Sequence, residues 1–144
     1  MAATATVTTA AYRILVVAND AADTDALYDA LRFRARKGRD VDLLVVATAP
    51  ISHARDAGER LTPLLEQLRD AGFTAEGLVA DADPIRAIDD ALALFSADEI
   101  VLATTAAGAS NWFARDLVRR LRHRYAQPVL HVVTDAHPPL TLTT

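Results

Sequence analysis

A short apolar run near the start of the chain decides the fold: residues 12–18 read YRILVVA. The run is too short for a helix and rich in β-branched residues, so it predicts a strand that is buried on both faces. Four further runs of similar character follow. They cover residues 41–47, 73–80, 99–104 and 128–133.

Amphipathic helical patterns separate these predicted strands, with apolar residues three and four positions apart. The second helix is expected to stop at Gly72, and Asp83 followed by Pro84 predicts an N-cap with proline in the first turn of the third helix. The four apolar stripes are Leu27, Ala30, Leu31 and Phe33; Leu61, Leu64, Leu65, Leu68 and Ala71; Ile85, Ile88, Leu92 and Phe95; and Phe113, Leu117 and Leu121.

Strands that alternate with helices in this way predict an α/β fold, an open five-stranded parallel doubly wound sheet with helices on both faces. In such sheets, ligands bind beyond the carboxyl ends of the strands, at the point where the strand order reverses. If the first and fourth strands flank that point, the loop after Asn19 and the loop over residues 104–110 line the crevice.

The second of these loops carries the candidate binding residues. Thr104, Thr105, Gly108 and Ser110 offer hydroxyl and amide groups to an anion at the start of the fourth helix, and Asn19 faces them from the first strand. The alternative is an ordinary loop in which Gly108 makes a turn and Ser110, or Asn111 after it, caps a helix that begins there. With one glycine in the loop, the sequence favours the ordinary loop.

Composition narrows the chemistry of the chain. It has 144 residues, 51% apolar and 24% charged, which is the balance of one folded domain. It has no cysteine, so disulfides, cysteine-ligated metals and thiol catalysis are excluded. No apolar run has the length of a membrane span. Because residues 1–11 also lack the basic start of a signal peptide, we expect a cytoplasmic protein.

Charged and catalytic residue types form no recognisable active site. The net charge is −4, yet residues 111–144 carry five arginines against two aspartates. We interpret this basic helix as a solvated face rather than a nucleic-acid surface, since no aromatic residues interleave with the arginines. The four histidines lack the spacing of metal ligands. No nucleophile–base pair is visible, so an enzyme that uses the crevice is the weakest hypothesis.

Four segments of the chain, taken together, resemble the universal stress protein family: residues 13–19, 83–95, 97–102 and 128–133. The resemblance covers about residues 12–134 and leaves residues 1–11 and 135–144 as tails, of which the first is expected to be disordered. It implies a sheet of strand order 3-2-1-4-5 and a homodimer formed through the last strand.

Members of that family that bind ATP carry a glycine motif after the fourth strand. Placed on this sequence, its first two glycines fall at Ala103 and Ala106, and its final glycine and hydroxyl residue fall at Asp116 and Leu117. Asn19 stands where binding members usually have an aspartate. The resemblance therefore implies a stress-related regulatory or interaction module without a cofactor, in which ATP is not bound in the standard way. The alternative is a nucleotide-binding stress protein with a divergent loop.

The fifth predicted strand is the candidate dimer interface. As the expected edge of the sheet, its run is apolar and carries no lysine or internal proline, the features that keep exposed edges from pairing. We expect a two-fold dimer in which this strand meets its copy. The residues concerned are Val129, Leu130, His131, Val132 and Val133. A further protein partner is compatible with the sequence but not identified by it.

Overall fold

A computed structural model describes residues 12–19, 24–35, 40–48, 52, 54–80, 83–105 and 108–134. The two predicted tails, residues 1–11 and 135–144, lie outside the described residues. The strands are β1 (Tyr12–Asn19), β2 (Val41–Thr48), β3 (Thr74–Ala80), β4 (Glu99–Thr105) and β5 (Val129–Thr134). The helices are α1 (Thr24–Ala35), α2 (Ala54–Asp70), α3 (Pro84–Leu94) and α4 (Gly108–Arg124).

The five strands form one sheet in the order β3-β2-β1-β4-β5, and every neighbouring pair is parallel. The apolar cluster on one face holds buried residues of α1 and α2, and the cluster on the other face holds those of α3 and α4. Right-handed crossovers explain this arrangement. The chain adds β2 and β3 on one side of β1 and β4 and β5 on the other, so the helices of the two halves lie on opposite faces of the sheet. The predicted fold class and strand order are confirmed.

The central strand explains why the first apolar run is so informative. Residues 14–17 of β1 are fully buried, with Ile14 and Val16 in the α1–α2 cluster and Leu15 and Val17 in the α3–α4 cluster. A strand covered on both faces needs apolar side chains at every position rather than at alternate ones. The sequence run is therefore a direct signature of the central position.

Two of the predicted helix ends are confirmed with their capping geometry. Gly72 has φ of +101°, its N–H donates to the Arg69 carbonyl at 3.0 Å, and the Phe73 N–H donates to the Leu68 carbonyl at 3.1 Å. These two bonds form a Schellman motif, which ends a helix at a left-handed residue. At α3, the Asp83 carboxylate accepts from the Ile85 N–H at 3.0 Å, with Pro84 in the first turn.

Three residues assigned to apolar helix stripes are placed differently by the structure. Ala71 is an exposed turn residue after α2, because the Schellman turn has already begun there. Phe95 is the C-cap of α3, and its ring packs under the Arg13 guanidinium at 4.4 Å. Phe33 is 62% exposed, since it lies outside the arc of α1 that holds the buried Leu27 and Leu31. Apolar spacing alone does not separate the centre of a stripe from its margin.

Candidate functional site

The carboxyl ends of β1 and β4 form the candidate crevice. The two strands are parallel neighbours in register from Ile14–Glu99 to Ala18–Ala103, so their last residues end at the same edge of the sheet. The strand order reverses here, because β2 lies on the other side of β1 and β5 on the other side of β4. Asn19 is the last residue of β1, and Thr105 is the last of β4.

Helix α4 begins at this edge. Gly108 is its first residue, three positions after the end of β4, and Ser110 is its third. The backbone N–H groups of a first turn have no partners within the helix and favour an anion. The predicted start near Ser110 or Asn111 is wrong by two to three residues: glycine and alanine enter a helical turn without a side-chain conflict, so Gly108 and Ala109 lie inside α4 rather than before it.

The side chains of Asn19, Thr105 and Ser110 lie outside the described part of the structure, so their predicted role in binding stays a prediction. Thr104 is described and is 3% exposed. Its hydroxyl lies 2.7 Å from Nε2 of His131 on β5. The structure thus joins one residue predicted for the crevice to one predicted for the dimer interface.

Strand β5 forms one edge of the described sheet, paired along one side with β4. Its side chains alternate between the two faces, as in any strand. Leu130 and Val132 pack against the α1–α2 cluster, and Val129 belongs to the α3–α4 cluster. Val133, on the same face as Val129, is 48% exposed. The outer edge is therefore apolar and half-covered, as expected of a pairing edge.

Solved structures place this architecture among known proteins. No protein-family model and no curated protein matches the sequence. The structure of the universal stress protein from Archaeoglobus fulgidus is similar with a TM-score of 0.59 and 25% identity, over 85% of this chain and 94% of that one. The chain has the universal stress protein fold. The resemblance predicted from the sequence is thereby confirmed at the level of structure.

Two further structures with the universal stress protein fold were solved with nucleotides. One, a universal stress protein in complex with cAMP, has a TM-score of 0.60 and 23% identity over 88% of this chain and 100% of that one. The other, the A. fulgidus protein in complex with dAMP, has a TM-score of 0.58 and 20% identity over 85% of this chain and 99% of that one.

Two residues that the family resemblance aligns with glycines of the ATP-binding motif are described. Ala103 is fully buried in β4. Asp116 lies in α4, and its carboxylate accepts a hydrogen bond from the Arg119 guanidinium at 2.7 Å. The carboxylate at this position is therefore partly compensated by a neighbouring cation.

Below the crevice, an unpredicted cluster ties α3 to the end of α4. Both oxygens of Asp89 accept from Arg124, at 2.6 and 3.2 Å, and Oδ1 also accepts from the Tyr125 hydroxyl at 2.5 Å. Hydrogen bonds from Arg124 and then Tyr125 lower the pKa of Asp89, while burial raises the pKa of Tyr125 to about 12. One arginine of the basic helix thus has a structural partner.

Groups of metal-ligating side chains do not occur among the residues that the structure describes. Within the same ranges, no helix has the length and apolar character that crossing a membrane requires.

We expect His131 to be neutral at pH 7. Burial lowers its pKa below the ordinary value of 6.5, and the Arg122 guanidinium lowers it further. A group whose pKa is lower in the folded state stabilises the fold above the unfolded-state pKa. This contribution is lost as the pH falls from about 6.5 through the folded-state pKa. The free energy of unfolding in urea should therefore be lower at pH 5.5 than at pH 7.5. In His131→Gln, the part of this difference that comes from His131 should disappear. A His131 ring proton that titrates above 6.5 by NMR would contradict the expectation.

Proposed function

We propose that the chain is a cytoplasmic, homodimeric regulatory or interaction module of the universal stress protein type, which assembles through β5 and does not bind ATP in the standard way of the family. The observation that carries the proposal is the β5 edge. On its outer side β5 pairs with no other strand of the described sheet, the Arg122 guanidinium bonds its Val129 carbonyl, and its exposed residue Val133 is apolar. The proposed role is regulatory rather than catalytic.

The other edge strand, β3, supports the choice of β5. Thr74, Glu76 and Gly77 of β3 are exposed, and a charged residue and a glycine near the middle of a strand both disfavour pairing with a second chain. Strand β5 has no charged carboxylate, lysine or glycine between residues 129 and 134. Only one of the two edges therefore has the character of a dimer interface.

The buried Cβ of Ala103 and the carboxylate of Asp116 support the absence of standard ATP binding. Glycine at such positions allows the backbone to approach a phosphate, and a Cβ atom obstructs that approach. A carboxylate two turns into α4 repels a triphosphate that folds back along the helix, although the Arg119 guanidinium bonded to it reduces the repulsion.

A second candidate function is nucleotide binding through a divergent loop. It is favoured by one specific observation: proteins of the same fold were solved with cAMP and dAMP. Helix α4 begins at the crevice, and its first turn could hold a phosphate without the glycine motif. Monophosphates place less charge near Asp116 than ATP does, so they are the ligands to which this alternative is best suited.

Calorimetric titration separates the two functions. We expect ATP with magnesium to bind no more tightly than a dissociation constant of about 1 mM, which corresponds to about 4 kcal/mol. cAMP and AMP should be titrated in the same buffer. Micromolar binding of any of the three, lost in Asn19→Leu and Ser110→Leu variants that still fold, would replace the first function by the second. The matched control is Thr62→Leu, an exposed hydroxyl residue of α2 remote from the crevice.

A further inference from the structure

Three arginines of α4 form a row along the side of the helix that lies next to β5. Arg115, Arg119 and Arg122 are spaced four and three positions apart, which places them on one side of a helix. The guanidinium of Arg122 donates to the Val129 carbonyl of β5 at 2.9 Å, which fixes the side of α4 on which the row lies. We call these three residues the arginine flank.

The arginine flank is exposed and only partly neutralised. All three residues are exposed, and Asp116 accepts a hydrogen bond from Arg119. The arginine on the opposite side of α4, Arg124, is instead paired with Asp89. The flank therefore presents a net positive charge at the sheet edge, whereas Arg124 is tied to α3.

The two faces of the sheet differ in character beside the β5 edge. On the α1 face, Leu130 and Val132 of β5 are apolar, and Phe33 of α1 is an exposed aromatic residue. On the α4 face, His131 lies in the middle of the strand, next to the arginine flank. A dimer formed through β5 therefore has an apolar contact on one face and a cationic one on the other.

A two-fold axis at the β5 edge brings the cationic sides together. In a continuous antiparallel pair the axis is perpendicular to the sheet, so α4 and its copy lie on the same face. Strands are about 4.8 Å apart, and α4 covers β4 and β5. The axes of the two α4 helices would therefore lie roughly 10 Å apart, which is the spacing of packed helices. The two arginine flanks would then face each other across the axis.

We propose that the dimer binds a small polyanion with several phosphate groups on its two-fold axis, between the two arginine flanks and above the two His131 residues. The inference rests on the proposed dimer through β5. Like charges across an interface weaken it, and an anion with several charged oxygens matches facing guanidinium groups. Because the anion contacts both copies, it binds the dimer and not the monomer, and it shifts the equilibrium toward the dimer.

Sedimentation velocity on the full chain, with inorganic triphosphate as the probe, tests the inference. We expect triphosphate, at about ten times its own dissociation constant and at constant ionic strength, to lower the dissociation constant of the dimer about tenfold. This is the shift that a ligand bound only by the dimer produces at that concentration. In the double variant Arg115→Gln, Arg119→Gln, dimerisation should become stronger without triphosphate and lose its response. By NMR, triphosphate should raise the pKa of His131 in the unchanged dimer, because it adds negative charge beside the ring.

The matched control is Arg55→Gln with Arg120→Gln. It removes the same charge from exposed positions, on α2 and on the part of α4 away from the flank, and should keep the full response. A dimer that forms equally well with and without triphosphate overturns the inference and leaves the proposed dimer standing. A response lost equally in the control shows general screening and also overturns it. A chain that stays monomeric throughout overturns the dimer as well.

Discussion

Replacement of Val133 by lysine should convert the proposed dimer to monomers. Val133 is exposed at the β5 edge, and a two-fold interface receives two new cations from one substitution. Each lies beside the existing positive charge of α4, and like charges brought together at an interface cost several kcal/mol. We expect the dissociation constant of the dimer to rise at least about 100-fold, which corresponds to about 3 kcal/mol. Val132 is a poorer position, because its side chain packs against the core.

Light scattering at tens of micromolar protein measures this change. The matched control is Leu78→Lys, which places the same cation on the opposite edge strand, at a position that is 36% exposed. Leu78→Lys should leave the dimer intact, and both variants should keep the unfolding free energy of the monomer nearly unchanged. A Val133→Lys protein that remains dimeric would show that β5 is not the interface.

Gly77→Val should destabilise the fold strongly. A Cβ atom at Gly77 would lie 2.6 Å from Cδ1 of Leu65 and 2.8 Å from Cδ2 of Leu61, so α2 packs directly on the β3 backbone. Leu61 belongs to the α1–α2 cluster and Leu65 packs against it, so both side chains would have to shift to admit the new atom. Overpacking of this kind typically costs about 1–3 kcal/mol, and valine adds two methyl groups to the conflict. We expect a loss of about 3 kcal/mol.

Chemical denaturation followed by circular dichroism measures the loss. Gly58→Ala serves as the control, because its Cβ would meet Val79 at 3.7 Å, an ordinary contact, in the interior of α2. Alanine is the better helix former, so this variant should gain about 0.5–1 kcal/mol. Gly77→Ala should fall between the two. Equal stability of Gly77→Val and the unchanged protein would mean that α2 is not held against β3 as the structure has it.

Much of the fold could be predicted because its signals are local. A fully apolar run such as residues 14–17 indicates a strand buried on both faces. Gly72 can end a helix because it lacks a Cβ and adopts a positive φ, and the Asp83 carboxylate can accept from an N–H of the first helical turn. The strand order came from a family resemblance rather than from the residues. The same local signals could not fix the start of α4, since small residues are compatible with either loop or helix.

The contacts around the candidate site could not be predicted, because they depend on register and on the rotation of helices about their axes. Thr104 meets His131 only when β4 and β5 align with Ile100 opposite Val129. Asp89, Arg124 and Tyr125 meet only when α3 and α4 lie side by side on one face. A predicted register for the β4–β5 pair would have been enough to find the Thr104–His131 contact.

The strand order also has a consequence for how the chain folds. The central pair, β1 and β4, is joined by hydrogen bonds between residues 85 positions apart, from the Arg13 N–H to the Asp98 carboxylate and from the Asp98 N–H to the Arg13 carbonyl. Closing so long a loop costs chain entropy before the pair gains any stability. During synthesis, β1 can pair early with β2, and β3 can then pair with β2, before β4 has been made. The crevice lies between the carboxyl ends of β1 and β4, so it cannot form until β4 has been made and has paired with β1. The half of the molecule that carries the candidate site is therefore completed last.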